Sequence, residues 1–186
     1  IKNFAFILLL TSICFISFST SVYAQLKLPG NSQKASVTQR VGITDITIKY
    51  SRPSVKGREI WGKLIPYGMN NLGFGTAKES PWRAGADENT TISFSDDISI
   101  DGKKLKAGTY GLFMVIYEND NADIIFSNNS AAWGSYFYNP DEDALKVTVK
   151  SNKTSHTELL TFEFIAVDKT SATVALKWGE KEIPFK

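Results

Sequence analysis

The chain has 186 residues, 42% of them hydrophobic, which is enough for one domain with a full apolar interior. Its 21 Lys and Arg stand against 19 Asp and Glu, interspersed for a net charge of +2, which excludes the basic stripe of a nucleic-acid reader and the polybasic segment of a membrane-surface binder. One cysteine and one histidine exclude cysteine-bound zinc and multi-histidine metal centres, so no metal and no cofactor is expected.

Residues 1–24 are expected to be a signal peptide. Lys2 gives a small positive start, residues 4–18 are an apolar run shorter than the roughly 20 residues of a membrane span, and Val22-Tyr23-Ala24 places small residues where a signal peptidase cuts. Export, to the periplasm, the outer envelope or the medium, is therefore the expected destination, with no membrane span left after cleavage. Cys14 lies inside that segment behind Thr-Ser-Ile rather than the small residue of a lipoprotein signal, so the mature chain is expected to lack a reactive thiol. Residues 25–34, with Pro29-Gly30-Asn31, are expected to be a linker, and 35–186 a single domain.

From residue 35 the pattern has period two. Ala35, Val37, Gln39 and Val41 alternate with polar neighbours, and Ile46, Ile48 and Tyr50 do so again after Gly42, which predicts a hairpin. Strands are predicted again at 90–95, at 98–100 and 103–105 across an Asp101-Gly102 turn, and at 109–117, where both faces are apolar. Further strands are predicted at 122–126, 144–150, 158–167, 172–178 and, after a Gly179 turn, 183–185. A helix of about two turns is expected only at 58–64. Many short strands at this spacing predict an all-β antiparallel sandwich, jelly-roll-like or immunoglobulin-like.

Two long connections interrupt the strands. Residues 50–91 hold Arg52, Arg58, Trp61, Tyr67, Trp82, Arg83 and Glu88, and residues 127–143 hold Trp133, Tyr136 and Tyr138. Loops this long in a compact domain are where function concentrates. Ser51-Arg52-Pro53-Ser54, Lys56-Gly57-Arg58, Ile60-Trp61-Gly62, Pro66-Tyr67-Gly68, Trp82-Arg83, Gly85-Ala86, Glu88, Thr90-Thr91 and Ala107-Gly108-Thr109-Tyr110 together resemble a bacterial family catalogued as domain of unknown function 2911. The resemblance implies an exported all-β domain, common in the Bacteroidetes, and no established reaction. Asp87 stands where that family pattern implies Asn.

Three of the four arginines of the expected mature chain, Arg52, Arg58 and Arg83, fall in the first connection. A guanidinium is a rigid fork suited to carboxylate, phosphate or sulfate, so one reading is an anion-recognising cluster; the other is that these arginines bond Glu59, Glu88 and loop carbonyls to hold the connection in shape. Likewise Trp61, Tyr67, Trp82, Trp133 and Tyr136 are either a flat-ring binding surface or plugs for the sandwich ends. His156 and Glu88 are weak catalytic candidates. His156 shares a strand face with Glu158, and Glu88 beside an arginine suits binding better than proton donation. The adjacent Asp87 and Glu88 point to opposite faces and are a poor glycosidase pair. Asp96-Asp97 and Asp141-Glu142-Asp143 lack calcium-loop spacing, and Gly73, Gly75 and Gly85 lack the setting of a phosphate loop. The leading expectation is an exported module binding a small anionic or carbohydrate-like ligand; the alternatives are a metal-independent hydrolase or isomerase and a purely structural envelope protein. Composition says nothing about oligomeric state.

Overall fold

The structure is a computed structural model that describes residues 29–186. The expected signal peptide and the first part of the linker lie outside the described residues. Alternating side chains build β1 (Gln33–Val41) and β2 (Thr44–Arg52), joined by a tight turn at Gly42, whose φ is +60°. Then come β3 (Thr91–Phe94), the hairpin β4 (Ile98–Ile100) and β5 (Lys103–Leu105), β6 (Gly108–Ile116), β7 (Asn121–Ser127), β8 (Asp143–Lys150), β9 (Asn152–Val167) and β10 (Ala172–Phe185). At the β4–β5 turn Asp101 and Gly102 both have positive φ, as the Asp-Gly pair requires.

The fold is all-β. One antiparallel sheet has the order β1-β2-β3-β6-β7-β8, a meander from which the β4–β5 hairpin departs between β3 and β6. The β9–β10 ribbon forms a second layer. Ile48, Tyr50, Ile92, Leu112, Met114, Ile124 and Phe126 from the sheet share one buried cluster with Leu160, Phe162, Leu176, Trp178 and Phe185 from the ribbon. Tyr50 joins the layers, its ring edge-on to Phe162 at 4.9 Å and its hydroxyl accepting the Phe162 N–H. β6 is buried from Tyr110 to Ile116. Its inner residues feed the main core, while Phe113 and Val115, with Ile125, form a second small cluster on the outer face under Met69, Tyr117 and Tyr138. The apolar-on-both-faces sequence of this strand is thus explained by loops roofing its outer side.

Three predicted elements differ. Residues 58–64 are not a helix: Gly62 sits at φ +81°, its N–H bonds the Ile65 carbonyl, and the Ile65 N–H returns to Ile60. Ile60 and Ile65 are both buried by this turn, an arrangement that captures two core anchors. Residues 172–185 form one strand rather than two, because Gly179 is a bulge where the β9–β10 register shifts, not a turn. β9 starts at Asn152, so His156 lies within a strand. Among the described residues the one helical element is a 3-10 turn at Pro140–Glu142, capped by the Asn139 side chain.

Candidate functional site

The first long connection ties the two layers together. After β2 it runs beside β9, where Val55 N–H bonds Glu158 O and Leu160 N–H bonds Pro53 O. It then crosses to the sheet, where Gly68 N–H bonds Ile116 O and Trp82 exchanges both backbone hydrogen bonds with Met114 at 2.8 Å. The second connection folds against it: Ala77 N–H reaches Tyr136 O at 3.1 Å and the Ser80 hydroxyl reaches Ser135 O at 2.8 Å. Between the two connections lies an open cleft of about 700 Å³, within the size range of small-ligand sites.

Its floor is tryptophan. Trp82 stacks on Trp178 at 6.0 Å, and Trp61 stands edge-on to both, at 5.7 and 6.1 Å. Trp82 and Trp178 line the cleft and Trp61 backs them. Trp82 is held by its indole N–H on Gly85 O at 3.1 Å. The Nε1 donors of Trp61 and Trp178 are buried without an acceptor among the described residues; an unpaired buried donor costs roughly 1–3 kcal/mol.

The walls carry cations. Lys56, Arg58 and Arg83 line the cleft together with one carboxylate, Asp87. Among the described residues no carboxylate lies within 4.0 Å of Arg52, Arg58 or Arg83, whereas Arg40 pairs with Asp45 at 3.5 Å. Loop carbonyls take part of their hydrogen-bonding capacity: Arg58 donates through Nε to Val55 O at 3.0 Å and through Nη2 to Ser54 O, and Arg83 through Nη1 to Asp87 O at 2.6 Å. The guanidinium of Arg83 lies 5.1 Å from the Tyr136 ring centre and 5.7 Å from that of Trp133, within cation–π reach. Gly134 lets it settle there, since a Cβ at that position would fall 2.8 Å from the guanidinium carbon.

Residues 32–186 match the family described as Protein of unknown function (DUF2911). The chain belongs to that family. The match takes in all ten strands of the described residues and both connections of this DUF2911 domain. No curated protein and no solved structure matches the chain.

Of the residues singled out in the sequence, Arg58, Trp82, Arg83, Trp133 and Tyr136 come together at the cleft of this DUF2911 domain. Trp61 lies behind it, and Tyr67 is exposed, packed across Gly62 outside the lining. Arg52 points elsewhere, clasping β9 through Leu160 O and the Thr161 hydroxyl. Glu88 forms an ion pair with Lys34 at 2.7 Å, which is the main cause of its lowered pKa. His156 is exposed on β9, 3.1 Å from Glu158, whose pKa is lowered first by the Lys56 backbone N–H and then by His156. Neither Glu88 nor His156 lines the cleft. Lys56 and Trp178 were not singled out. Trp178 is in phase with buried Val174 and Leu176, so alternation marks it as core, and nothing local marks it as a floor residue of the cleft.

Two further openings among the described residues are of comparable size. One of about 860 Å³ is floored by core residues such as Ile92, Phe94 and Phe185; one of about 870 Å³ on the outer sheet face holds Tyr117, Asp123, Tyr138, Asp143 and Lys146. Neither contains an arginine. Among the described residues no group of three or more His, Cys, Asp or Glu is placed to hold a metal, and no helix is long and apolar enough to cross a membrane.

Proposed function

We propose that this domain is a binding module that takes a small anionic ligand in the cleft between the two connections. One observation carries the reading: Lys56, Arg58 and Arg83 gather over a tryptophan floor with a single carboxylate, Asp87, among them. Arg83 is half-buried without a carboxylate partner among the described residues, Lys56 and Arg58 stand exposed at the rim, and protein carbonyls satisfy only some of the arginine donors. The cleft is thus rich in donors and poor in acceptors, the complement of an anion. The candidate bases stand apart from it and the lining holds no base paired with a nucleophile, which favours binding over turnover.

A charge-assisted hydrogen bond is worth about 1.5–3 kcal/mol, so two arginine contacts supply about 3–6 kcal/mol, and after association costs a simple anion binds at roughly millimolar order or weaker. Titration of the purified protein with sulfate and with acetate, followed by calorimetry, is expected to show saturable binding that weakens with added salt. Arg83→Ala is expected to weaken it tenfold or more, because 1.4 kcal/mol is a factor of ten. Unchanged binding in both Arg58→Ala and Arg83→Ala would sink the reading. Loss of stability in these variants with no anion bound by the wild type would assign the arginines to holding the loops.

A further inference from the structure

We infer that the ligand of this cleft is an acidic saccharide, with a sugar ring lying on Trp133 and its carboxylate or sulfate bound by Arg83. The inference rests on the anion-binding reading above and adds the ring. Beside the cations is an aromatic ledge that the protein itself leaves uncovered. Trp133 and Tyr136 stack nearly parallel, 13° apart with centres at 5.6 Å, yet Trp133 remains 56% exposed. Phe74, 67% exposed, stands edge-on to Tyr136 at 5.6 Å and extends the ledge. Contiguous exposed aromatic surface on a folded domain marks a contact site.

The ledge is built rigidly. A Cβ at Gly75 would collide with Tyr136 O, so the two connections touch backbone to backbone there. The Ala77–Tyr136 and Ser80–Ser135 hydrogen bonds lock the same contact. A preordered flat surface of this kind gives contact area at low entropy cost.

The spacing selects the ligand. The Arg83 guanidinium carbon is 5.7 Å from the Trp133 ring centre, so a ring resting on Trp133 carries its own substituents to the arginine. A simple anion would neutralise Arg83 and leave Trp133 and Phe74 bare. A neutral sugar would cover the rings and leave the guanidinium donors other than the one on Asp87 O without a charged acceptor. A pyranose has an apolar C–H face for the indole and, when it bears a carboxylate or sulfate, the acceptor for the fork. Asp87 is the one carboxylate acceptor on the cleft wall for a sugar hydroxyl.

The test is calorimetric titration of the purified protein with four probes: trigalacturonate, a sulfated disaccharide, maltotriose and inorganic sulfate. At least one of the acidic saccharides is expected to bind tenfold or more tightly than both maltotriose and sulfate, and whichever does so identifies the substituent. Trp133→Ala removes part of the stack under Arg83 and is expected to weaken that saccharide about tenfold more than it weakens sulfate; the exposed position keeps the variant folded, which near-ultraviolet circular dichroism checks. Equal affinity for sulfate and the acidic saccharides, or binding of maltotriose as tight as theirs, would overturn the saccharide inference while leaving anion binding in place. No binding of any charged probe would overturn both.

Discussion

At Gly134 a missing side chain decides the placement of a charged one. The residue adopts φ +66° and lies against the Arg83 guanidinium, so alanine there meets two separate difficulties. The left-handed backbone costs an L-residue about 1–2 kcal/mol, and the new methyl must displace the arginine, whose end is free to swing. Gly134→Ala is therefore expected to lower stability only by that backbone cost in urea unfolding, and to weaken anion binding about as much as Arg83→Ala does. A variant that lost stability but bound sulfate normally would place the working position of Arg83 away from the Trp133–Tyr136 stack. None of this geometry is visible in the sequence, where Gly134 reads only as a loop residue. Arg58, Trp82, Arg83, Trp133 and Tyr136 are legible as candidates, because scarce arginines and large aromatics on loops are unusual by composition alone, but that the two connections bring them to one cleft is not. Nor is the absence of Arg52 and Glu88 from the lining. Their partners, Leu160 and Lys34, are remote in sequence, and no local pattern announces such pairs.

Among the elements, the strands were legible because a half-buried strand writes its two faces as alternation, and β6 because its second face is also covered. The segment 58–64 misleads for the opposite reason: Arg, Glu, Leu and Lys favour a helix locally, but packing Ile60 and Ile65 into the core outweighs a preference of a few tenths of a kcal/mol per residue. Gly62→Ala separates the two descriptions by sign. In a helix, alanine for glycine would stabilise by about 1 kcal/mol. In the turn observed, the φ of +81° and a Cβ 2.8 Å from the Tyr67 ring predict a loss of about 1–2 kcal/mol. Urea unfolding of the variant reads that sign directly, and a raised midpoint would contradict the turn. Gly179 was misread by the same kind of ambiguity, since a glycine inside an apolar alternation marks either a turn or a bulge, and only the partner strand β9 decides which.

Over the whole molecule, distant segments are tied by exposed ion pairs whose protonation sets the response to acid. Lys34–Glu88 joins β1 to the first connection, and Lys181–Asp120 joins β10 to the β6–β7 turn. Lys106–Asp97 closes the β4–β5 hairpin, and Glu158 holds the Lys56 backbone. Each of these carboxylates is held below its ordinary value of 4.5 for Glu or 3.8 for Asp, the first three chiefly by lysine and Glu158 chiefly by the Lys56 N–H. A lowered carboxylate contributes stability that is fully present above its unfolded pKa and lost as pH falls through its folded one. Asp143 works against them. Burial raises its pKa, despite the Tyr138 hydroxyl at 2.6 Å, and its Oδ1 has no partner among the described residues. Its charged form is a strain on the fold at neutral pH that protonation relieves. The urea midpoint is therefore expected to hold from pH 7 to about 5 and to fall below the ordinary carboxylate values, with Asp143 blunting the fall. In Asp143→Asn the amide oxygen can still accept the Tyr138 hydroxyl, so the variant is expected to be more stable at pH 7 and to lose that advantage as the solution is acidified. Midpoint curves of the two proteins that run parallel from pH 7 to 3 would show that Asp143 is not a half-buried charge that Tyr138 and Lys146 only partly compensate.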